Sequence, residues 1–362
     1  MLDVVIAALG CVLIAAILWD AFETVVLPRR VSRRFRFARL FYRTSWKTYR
    51  LPSKRFSSAF RETYLGVFGP LSLLMLLALW AVLLIFGFAM LHWGIGSIVE
   101  TTGKEANFWT DSYMSGSTFF TLGLGDVAPD STASRIVAVI EAGAGFGFLA
   151  LMISYLPVLY QAFSRRETNV SLLDSRAGSP PSAGAFFLRL GDGHRRDRLP
   201  FLLEDWESWS ADLLESHLSY PVLMYYRSQH EHQSWLAALT VMLDVSALVL
   251  TGFQEHADEP AQLTFAISRH AAVDLAQIFG VDPHRAPADR LPHAEFMRLI
   301  ETVGYKAAPD TEAKLKEMRD LYEPFVAALS EYLMMPLPMW LPEGTEDAWQ
   351  TTAWDRLMDE VS

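Results

Sequence analysis

The residues best suited to chemistry in this chain are six consecutive ones, 121–126, which read Thr-Leu-Gly-Leu-Gly-Asp. Backbone carbonyl oxygens can replace the hydration shell of a small cation when several of them face one axis. Glycine reaches the necessary backbone conformations without a clash at Cβ, and Gly123 and Gly125 are spaced for this purpose. The pattern indicates a cation site built from peptide oxygens. Residues 121–126 are called the hexapeptide below.

The surroundings of the hexapeptide favour this interpretation over a chance Gly-x-Gly loop. It follows a short predicted helix, 107–120, which begins with polar residues, and it precedes a membrane-length apolar segment that starts after Pro129. The Gly-x-Gly stretches at 94–96 and 191–193 lack this context and are interpreted as ordinary loops.

Residues 117–126 resemble the pore signature of the potassium-channel superfamily, T-x-G-[YFL]-G-D, and the hexapeptide aligns with it without a gap. The resemblance implies that Thr121 supplies a hydroxyl and a carbonyl at the inner end of a selectivity filter. It also implies that the carbonyls of Leu122, Gly123 and Leu124 form the sites above, with K⁺ as the permeant ion and no cofactor.

Two residues depart from the commonest form of that signature. Leu122 stands where valine is usual and Leu124 where tyrosine is usual, a spelling that resembles some second-pore sequences of two-pore channels. We expect both side chains to point away from the ions and to pack behind the filter, so that coordination survives with altered stiffness. A non-selective monovalent cation channel is therefore the alternative to a potassium-selective one.

Three apolar segments are long enough to span a bilayer, which needs roughly 20 residues per helix. They are 4–27, 71–93 and 136–163 in a chain of 362 residues that is 51% hydrophobic. A cleaved signal peptide is an alternative for the first segment, but that segment is preceded by Asp3 in place of a basic start.

The distribution of lysine and arginine predicts the orientation. Between residues 29 and 61 there are 12 basic residues and no acidic one, which places that connection in the cytoplasm. The amino terminus is then outside, the hexapeptide enters from the outer face, and the third segment returns inward to Arg165 and Arg166. We expect a multi-pass protein of a bacterial inner membrane or plasma membrane.

The chain contains one copy of the hexapeptide, whereas a conduction path of this kind needs four such strands around an axis. We therefore expect a homotetramer, in which each chain has three further copies of itself as partners. The alternative among transport proteins is a Trk/Ktr-like uptake subunit with four degenerate pore repeats in one polypeptide. The single repeat argues against it.

Ionisable residues near the hexapeptide are candidates for its support. Glu141 interrupts the third apolar segment, and charges inside a membrane are functional by default. Its early position in that segment places it behind the filter, near Ser117 and Thr118. A pore-facing Glu141, or a protonated one in a plain interhelical hydrogen bond, are the alternatives. Asp126 at the outer mouth would concentrate cations.

The third segment also carries residues that could bend it. Gly143, Gly145 and Gly147 form a Gly-x-Gly-x-Gly run about 20 residues after the filter. One interpretation is a gating hinge, and the other is close helix packing through small residues. Pro157 lies near the expected intracellular narrowing and could kink the helix there.

The basic connection at 29–62 has a helical pattern, with apolar residues at spacings of three and four and cations opposite them. This predicts an amphipathic helix at the inner membrane surface, attracted by anionic lipid headgroups. Arginine at every third position also resembles a voltage-sensor helix, but too few apolar residues intervene for a span. The cations that form the membrane-surface face are Arg33, Arg36, Arg39, Arg43 and Lys47.

The predicted fold class is an all-α membrane protein with three transmembrane helices, a re-entrant pore helix and an all-α cytoplasmic domain. The predicted parts are listed in order: a first span at 1–28, the basic segment at 29–62, a pore module at 63–166, a linker at 167–196 and an acidic helical domain at 197–362. The last part holds 11 basic and 28 acidic residues, which disfavours nucleic acid as a partner.

Periodic apolar patterns predict the helices of this domain, listed as 201–217, 234–253, 260–279, 294–303 and 311–333. The stretch 234–253 is apolar enough to raise a fourth span, but Asp244 at its centre favours a buried core helix.

Other classes of function find little support. The domain lacks a Gly-x-Gly-x-x-Gly fingerprint, a phosphate loop, a nucleophile elbow and a zinc motif, so we expect no enzyme and cannot name the domain's ligand. Its histidines, among them His217 and His270, are interpreted as ordinary surface residues. Cys11 is the sole cysteine, which excludes disulfides within the chain. A vestigial pore that anchors a sensor is the alternative from a different class.

Overall fold

The computed structural model describes residues 1–27, 36–96, 98–100, 107–191, 197–228, 233–253, 257–283, 289–305 and 307–341. The chain divides into two compact units, Met1–Gln161 and Ala162–Ser362. Each unit is described by itself.

The first unit is built from five helices and one small strand pair. The helices are α1 (Leu2–Ala21, continued by a π-helical turn at Phe22–Val26), α2 (Phe37–Ser53), α3 (Ser58–Ile95), α4 (Phe108–Phe119) and the first part of α5 (Thr132–Ala177). Strand β1 (Ile98–Glu100) pairs antiparallel with β2 (Val127–Pro129), an element that the sequence did not predict. Helical stretches that include α1, α3 and α5 are long and apolar enough to cross a membrane, which confirms an all-α membrane protein.

Glycines bring α1 and α3 into backbone contact. A methyl group on Gly10 would lie 2.6 Å from the carbonyl oxygen of Gly87, and one on Gly94 would lie 2.5 Å from the carbonyl oxygen of Asp3. Small residues at such positions let membrane helices approach closely enough for dispersion contacts along their length. Helix α1 therefore approaches α3 at backbone distance at these two positions.

Asp20 joins three helices of this unit. Its carboxylate accepts the backbone N–H groups of Phe37 at 3.0 Å and of Ala38 at 3.1 Å, and it also accepts the indole N–H of Trp80 at 3.1 Å. Helix α2 has no capping side chain of its own, so an acid from α1 satisfies its first amides and favours its positive end. The start of α2 is thereby fixed to α1 and α3.

Aromatic residues fasten the rest of α2 to α3. The rings of Tyr49 and Tyr64 stack at 4.3 Å, and Trp46 meets Phe68 edge-on at 4.8 Å. Three of the predicted basic residues, Arg39, Arg43 and Lys47, are exposed on the helix. Arg36 instead turns toward the end of α1, where it donates to the carbonyl of Glu23 and the hydroxyl of Thr24 at 3.4 Å. Arg33 lies outside the described residues.

All the regular secondary structure in the described part of the second unit is helical. Its helices are the end of α5, α6 (Ala183–Leu190), α7 (Leu199–Ser219), a 3₁₀ turn at Pro221–Tyr225, α8 (Trp235–Leu248, continued by a π-helical turn at Val249–Phe253), α9 (Asp258–Phe279), α10 (His293–Val303), α11 (Thr311–Asp320) and α12 (Glu323–Leu333). The predicted single helix over 311–333 is two helices, because Pro324 has no N–H to continue the ladder and starts a new helix well.

Helix α8 forms the centre of this unit, and every residue from Trp235 to Leu248 is buried. It is apolar enough to cross a membrane, but it packs among the other helices of the unit, as the core-helix interpretation predicts. Its one acid, Asp244, is neutralised there. It accepts from Arg290 at 2.7 Å and from the Tyr322 hydroxyl at 2.5 Å. A buried carboxylate with such partners is compatible with a packed core.

The predicted linker at 167–196 differs from the structure. Helix α5 continues to Ala177, and α6 follows after a short turn. Gly178 adopts a φ of 94° in that turn, and the hydroxyl of Ser182 accepts the N–H of Ala185 to cap α6. The glycine, serine and proline residues that suggested a linker are thus the stop and start signals between two helices.

We predict that Asp20→Ala destabilises the first unit by about 2–4 kcal/mol, because a helix cap and a buried indole lose their shared acceptor. The midpoint of thermal unfolding in detergent measures this. Asp3→Ala is the matched control, since Asp3 is an exposed acid on the same helix. Equal midpoints for the two variants would contradict the role of Asp20.

Candidate functional site

The backbone of the hexapeptide alternates in handedness. Thr121, Gly123 and Gly125 have φ angles of 57°, 58° and 76°, whereas Leu122 and Leu124 do not adopt positive φ. In a β-strand, successive carbonyls point to opposite sides, and an alternation in the sign of φ turns them toward one side instead. Thr121 is not glycine and is therefore strained, which indicates that its surroundings impose this shape.

Ser117, near the end of α4, accepts hydrogen bonds from three backbone N–H groups of the hexapeptide. The carbonyl oxygen of Ser117 accepts the N–H of Leu122 at 2.7 Å and that of Gly123 at 3.4 Å, and the Ser117 hydroxyl accepts the N–H of Leu124 at 3.5 Å. In a planar trans peptide the C=O points opposite to the N–H. The carbonyls of residues 121, 122 and 123 therefore face away from α4, on the side where an ion would pass.

Helix α4 is capped at its start and leads into the hexapeptide at its end. Asn107 caps it by accepting the N–H groups of Trp109 at 2.9 Å and Thr110 at 3.2 Å. Its last turn leads into the hexapeptide, where the carbonyl of Thr118 accepts the N–H of Thr121 at 3.0 Å. The negative end of the helix dipole therefore lies beside the hexapeptide, where it favours a cation. Ser117 and Thr118 both contact the hexapeptide.

The far end of the hexapeptide is held by a side chain and by the strand pair. The Tyr113 hydroxyl of α4 donates to the carboxylate of Asp126 at 2.9 Å. Immediately after Asp126, strand β2 pairs with β1, with Val99 opposite Ala128. Both ends of the hexapeptide are therefore anchored within the same chain, and the exposed Asp126 adds negative charge at this end.

The two leucines of the hexapeptide have exposed side chains in the single chain. Leu122 is 64% exposed and Leu124 is 62% exposed. The expectation that they pack behind the filter concerns the assembled pore and stays a prediction.

Glu141 lies behind α4 and is fully buried. One carboxyl oxygen shares a hydrogen bond with the hydroxyl of Ser115, and the other lies 3.3 Å from Nε2 of His92. It therefore contacts α4 at Ser115, two residues before Ser117, instead of at the expected residues Ser117 and Thr118. It does not face open space. Sequence reasoning missed His92, although an imidazole inside the predicted span at 71–93 was a visible signal.

The glycines of α5 serve different purposes. A methyl group on Gly145 would lie 2.0 Å from the carbonyl oxygen of Phe119, whereas one on Gly143 or Gly147 would meet nothing within 4 Å. Gly145 is thus a close-packing residue against the end of α4. Helix α5 continues through all three glycines and through the exposed Pro157. The gating hinge stays a prediction.

In the second unit, a buried arginine near the end of α5 binds several groups. Arg166 donates to the carbonyl of Leu223 at 2.9 Å and to that of Tyr226 at 2.8 Å, and it pairs with Glu167 at 2.9 Å. Its guanidinium also lies 3.3 Å from Nε2 of His217. These bonds fix the end of α5 within the helical unit.

His217 is fully buried, so the expectation of a surface residue is wrong for it. Burial and the neighbouring Arg166 charge lower the pKa of His217 well below its ordinary value, and its Nδ1 lies 2.8 Å from the carbonyl of Leu213. His270 is exposed and pairs with Asp274 at 3.0 Å. Within the described ranges, no three His, Cys, Asp or Glu side chains are grouped to hold a metal ion.

Comparison with known proteins gives one family match. Residues 75–161 match the family model described as an ion channel, and this range contains α4, the hexapeptide and the close contact at Gly145. This part of the chain is therefore similar to ion-channel domains. The match agrees with the suspected resemblance to the potassium-channel superfamily, while the finer properties of that superfamily are taken up below as proposals.

One relative has matched more of the chain than the family model. It is the uncharacterized membrane protein YdjJ of Bacillus subtilis strain 168, which is 27% identical over 201 residues. The match covers 55% of this chain and 58% of the relative. No solved structure matches the chain.

We predict that Gly145→Ala lowers ion flux through the reconstituted protein by at least about tenfold, because its methyl group would displace the Phe119 carbonyl that precedes the hexapeptide. Gly143→Ala is the matched control, since its methyl group would enter open space two residues away. The measurement is cation flux into liposomes. A hinge role would instead make Gly143→Ala and Gly147→Ala as harmful as Gly145→Ala.

We also predict that the second unit loses stability as the pH falls below about 6.5, where the unfolded chain protonates His217 but the folded one does not. The loss approaches about 1.4 kcal/mol per pH unit for this one proton. His217→Gln should reduce it, and His270→Gln, at an exposed site, should not. Hydrogen exchange of α7 in the full-length protein between pH 7.5 and 5.5 measures the effect. Identical acid sensitivity in all three proteins would contradict it.

Proposed function

We propose that this chain is one subunit of a homotetrameric, potassium-selective channel, in which four hexapeptides form the filter and K⁺ passes down its gradient. The observation that carries the proposal is the shared orientation of three peptide groups. The N–H groups of Leu122, Gly123 and Leu124 turn to Ser117, so the preceding carbonyls face the opposite side. These carbonyls accept no hydrogen bond from the residues that the structure describes. Inside a membrane, such a row of carbonyls can coordinate a dehydrated cation.

Assembly of four copies follows from what one copy lacks. A single row of carbonyls covers one side of an ion, and a full coordination shell needs several rows around it. Next to that row, one subunit also leaves the apolar side chains of Leu122 and Leu124 exposed. Helix α5 shows a further exposed stripe at intervals of seven residues, formed by Val139, Phe146 and Ile153. Neighbouring subunits and lipid would cover these surfaces.

The choice of K⁺ rests on the resemblance of the hexapeptide to the potassium-channel signature. The ion-channel family match supports permeation in general, and the leucine at 124 marks the departure from the commonest signature. A non-selective monovalent cation channel is the second candidate. It is favoured by the two leucines themselves, since a leucine side chain has no polar atom with which to form a hydrogen bond that would stiffen the filter.

The proposed setting is a plasma membrane or bacterial inner membrane, with the amino terminus outside and the second unit in the cytoplasm. The 12 basic residues between 29 and 61 support this orientation. Arg39, Arg43 and Lys47 are exposed on α2 and would meet anionic lipid headgroups at the inner surface.

The second unit is proposed to bias opening of the pore through α5. That helix begins at Thr132, after strand β2, and ends inside the second unit, where Arg166 donates to the carbonyls of Leu223 and Tyr226. A ligand that shifts the packing of this unit would therefore act on the same helix that carries Gly145. The identity of such a ligand is open. A membrane-anchored sensor with a vestigial pore is the alternative function.

The decisive experiment is flux through purified protein in liposomes with opposed K⁺ and Na⁺ gradients. We expect K⁺-preferring flux that Gly123→Ala abolishes, because a side chain at a φ of 58° is strained and would reorient the carbonyls. Gly147→Ala is the control, since it lies in a helix with open space around it. Equal flux of both cations would favour the non-selective channel. If the wild-type protein shows no flux, and Gly123→Ala differs from it in no other property, the channel is overturned and the sensor is favoured.

A further inference from the structure

A closed polar cluster lies behind α4 and joins three helices. Its members are His92 on α3, Ser115 on α4, and Ser134 and Glu141 on α5, and all four side chains are fully buried. His92 Nδ1 lies 2.9 Å from the Ser134 hydroxyl, and His92 Nε2 lies 3.3 Å from Glu141. Glu141 in turn binds the hydroxyl of Ser115.

The number of hydrogens in this cluster decides how it is protonated. Ser115 has one hydroxyl hydrogen, and its oxygen lies 2.9 Å from the backbone carbonyl of Ile85 as well as against Glu141. The Ile85 carbonyl can only accept a hydrogen bond. If Ser115 donates its one hydrogen to this carbonyl, the hydrogen bond between Ser115 and Glu141 needs a second hydrogen. Both contacts of the Ser115 oxygen are hydrogen bonds at the same time only when Glu141 carries that second hydrogen as a protonated carboxyl group.

The remaining bonds then fall into place without a charge. The second oxygen of a protonated Glu141 accepts from Nε2–H of His92, and the bare Nδ1 of His92 accepts from the hydroxyl of Ser134. Every donor has one acceptor in this arrangement. The ionised alternative, a glutamate beside an imidazolium, leaves two acceptors competing for the single hydrogen of Ser115 and places two charges in a fully buried site.

We infer that Glu141 is held as a neutral acid, and that it forms with His92 a hydrogen-bond chain whose purpose is to position Ser115 and, through α4, the filter. The chain runs from Ser134 through His92 and Glu141 to Ser115, and it ends on the carbonyl of Ile85. Ser115 lies two residues before Ser117, the residue that collects the amides of the hexapeptide. Both Glu141 and His92 are positioning residues, since neither touches the hexapeptide itself.

The inference about the filter rests on the proposed channel function, while the protonation of Glu141 does not. A carboxylic acid and a carboxylate have different infrared C=O bands, so the difference spectrum between wild type and Glu141→Gln reports the protonation state directly. Asp111 is a second buried carboxyl group and lies on α4. Asp111→Asn is therefore the control that separates its band from that of Glu141.

We expect the wild-type protein at pH 7 to show a protonated carboxyl band that Glu141→Gln removes and Asp111→Asn leaves in place. A carboxylate band lost in Glu141→Gln would overturn the inference. The glutamine amide can donate to Ser115 and accept from His92, so this variant should also assemble and keep the wild-type ratio of K⁺ to Na⁺ permeability. A glutamine variant that fails to assemble, or that loses selectivity, counts against a neutral Glu141.

The positioning role has its own variants. Ser115→Ala should lower the K⁺ to Na⁺ permeability ratio by about tenfold, as loss of an outer partner does at other ion sites, and Ser115→Thr should restore it. Ser112→Ala is the matched control, since its hydroxyl bonds only the carbonyl of Phe108 within the same helix. Unchanged selectivity in Ser115→Ala would overturn the positioning role. Absence of flux in the wild type would overturn the proposed function instead and leave the infrared result standing.

Discussion

The hydrogen bonds from the hexapeptide amides to Ser117 are the constraint on which the first unit depends. A peptide group has two polar ends, so fixing the N–H of three successive groups on one side also fixes the direction of their carbonyls. The strained φ of Thr121 persists only because these bonds hold it. The position of α4 therefore sets the position of the carbonyl row, and the other helices matter through what they do to α4.

Each neighbouring helix meets α4 by a different kind of contact. Helix α5 supplies a glycine that admits the Phe119 carbonyl, which is a steric fit that any side chain would spoil. Helix α3 supplies the carbonyl of Ile85 and the imidazole of His92, which are directional polar contacts. The steric contact sets the distance between α4 and α5, and the polar cluster sets the rotation of α4 about its axis. Together they leave the hexapeptide one geometry.

The sequence predicted the elements better than the contacts between them. The hexapeptide, the start of α4 at Asn107 and the three apolar helices could be identified, because local spacing and hydropathy carry that information. Burial of His217 could not, since it depends on Arg166, 51 positions earlier in the chain. Residues 167–191 of the predicted linker contain the end of α5 and all of α6. The linker prediction failed there because serine, glycine and proline signal a helix boundary as readily as a flexible segment. The partnership of Glu141 with His92 required two helices to be brought together first.

The glycine contact between α1 and α3 has a consequence for the lipids around the protein. Gly87 and Gly94 leave a smooth strip along α3, whose depth is now filled by α1 at backbone distance. If α1 were removed, that strip would be open to hydrocarbon chains, and its backbone polar groups, already bonded within the helix, would not disfavour the contact. The first helix thus occupies, by covalent attachment, a place for which membrane lipids would otherwise compete.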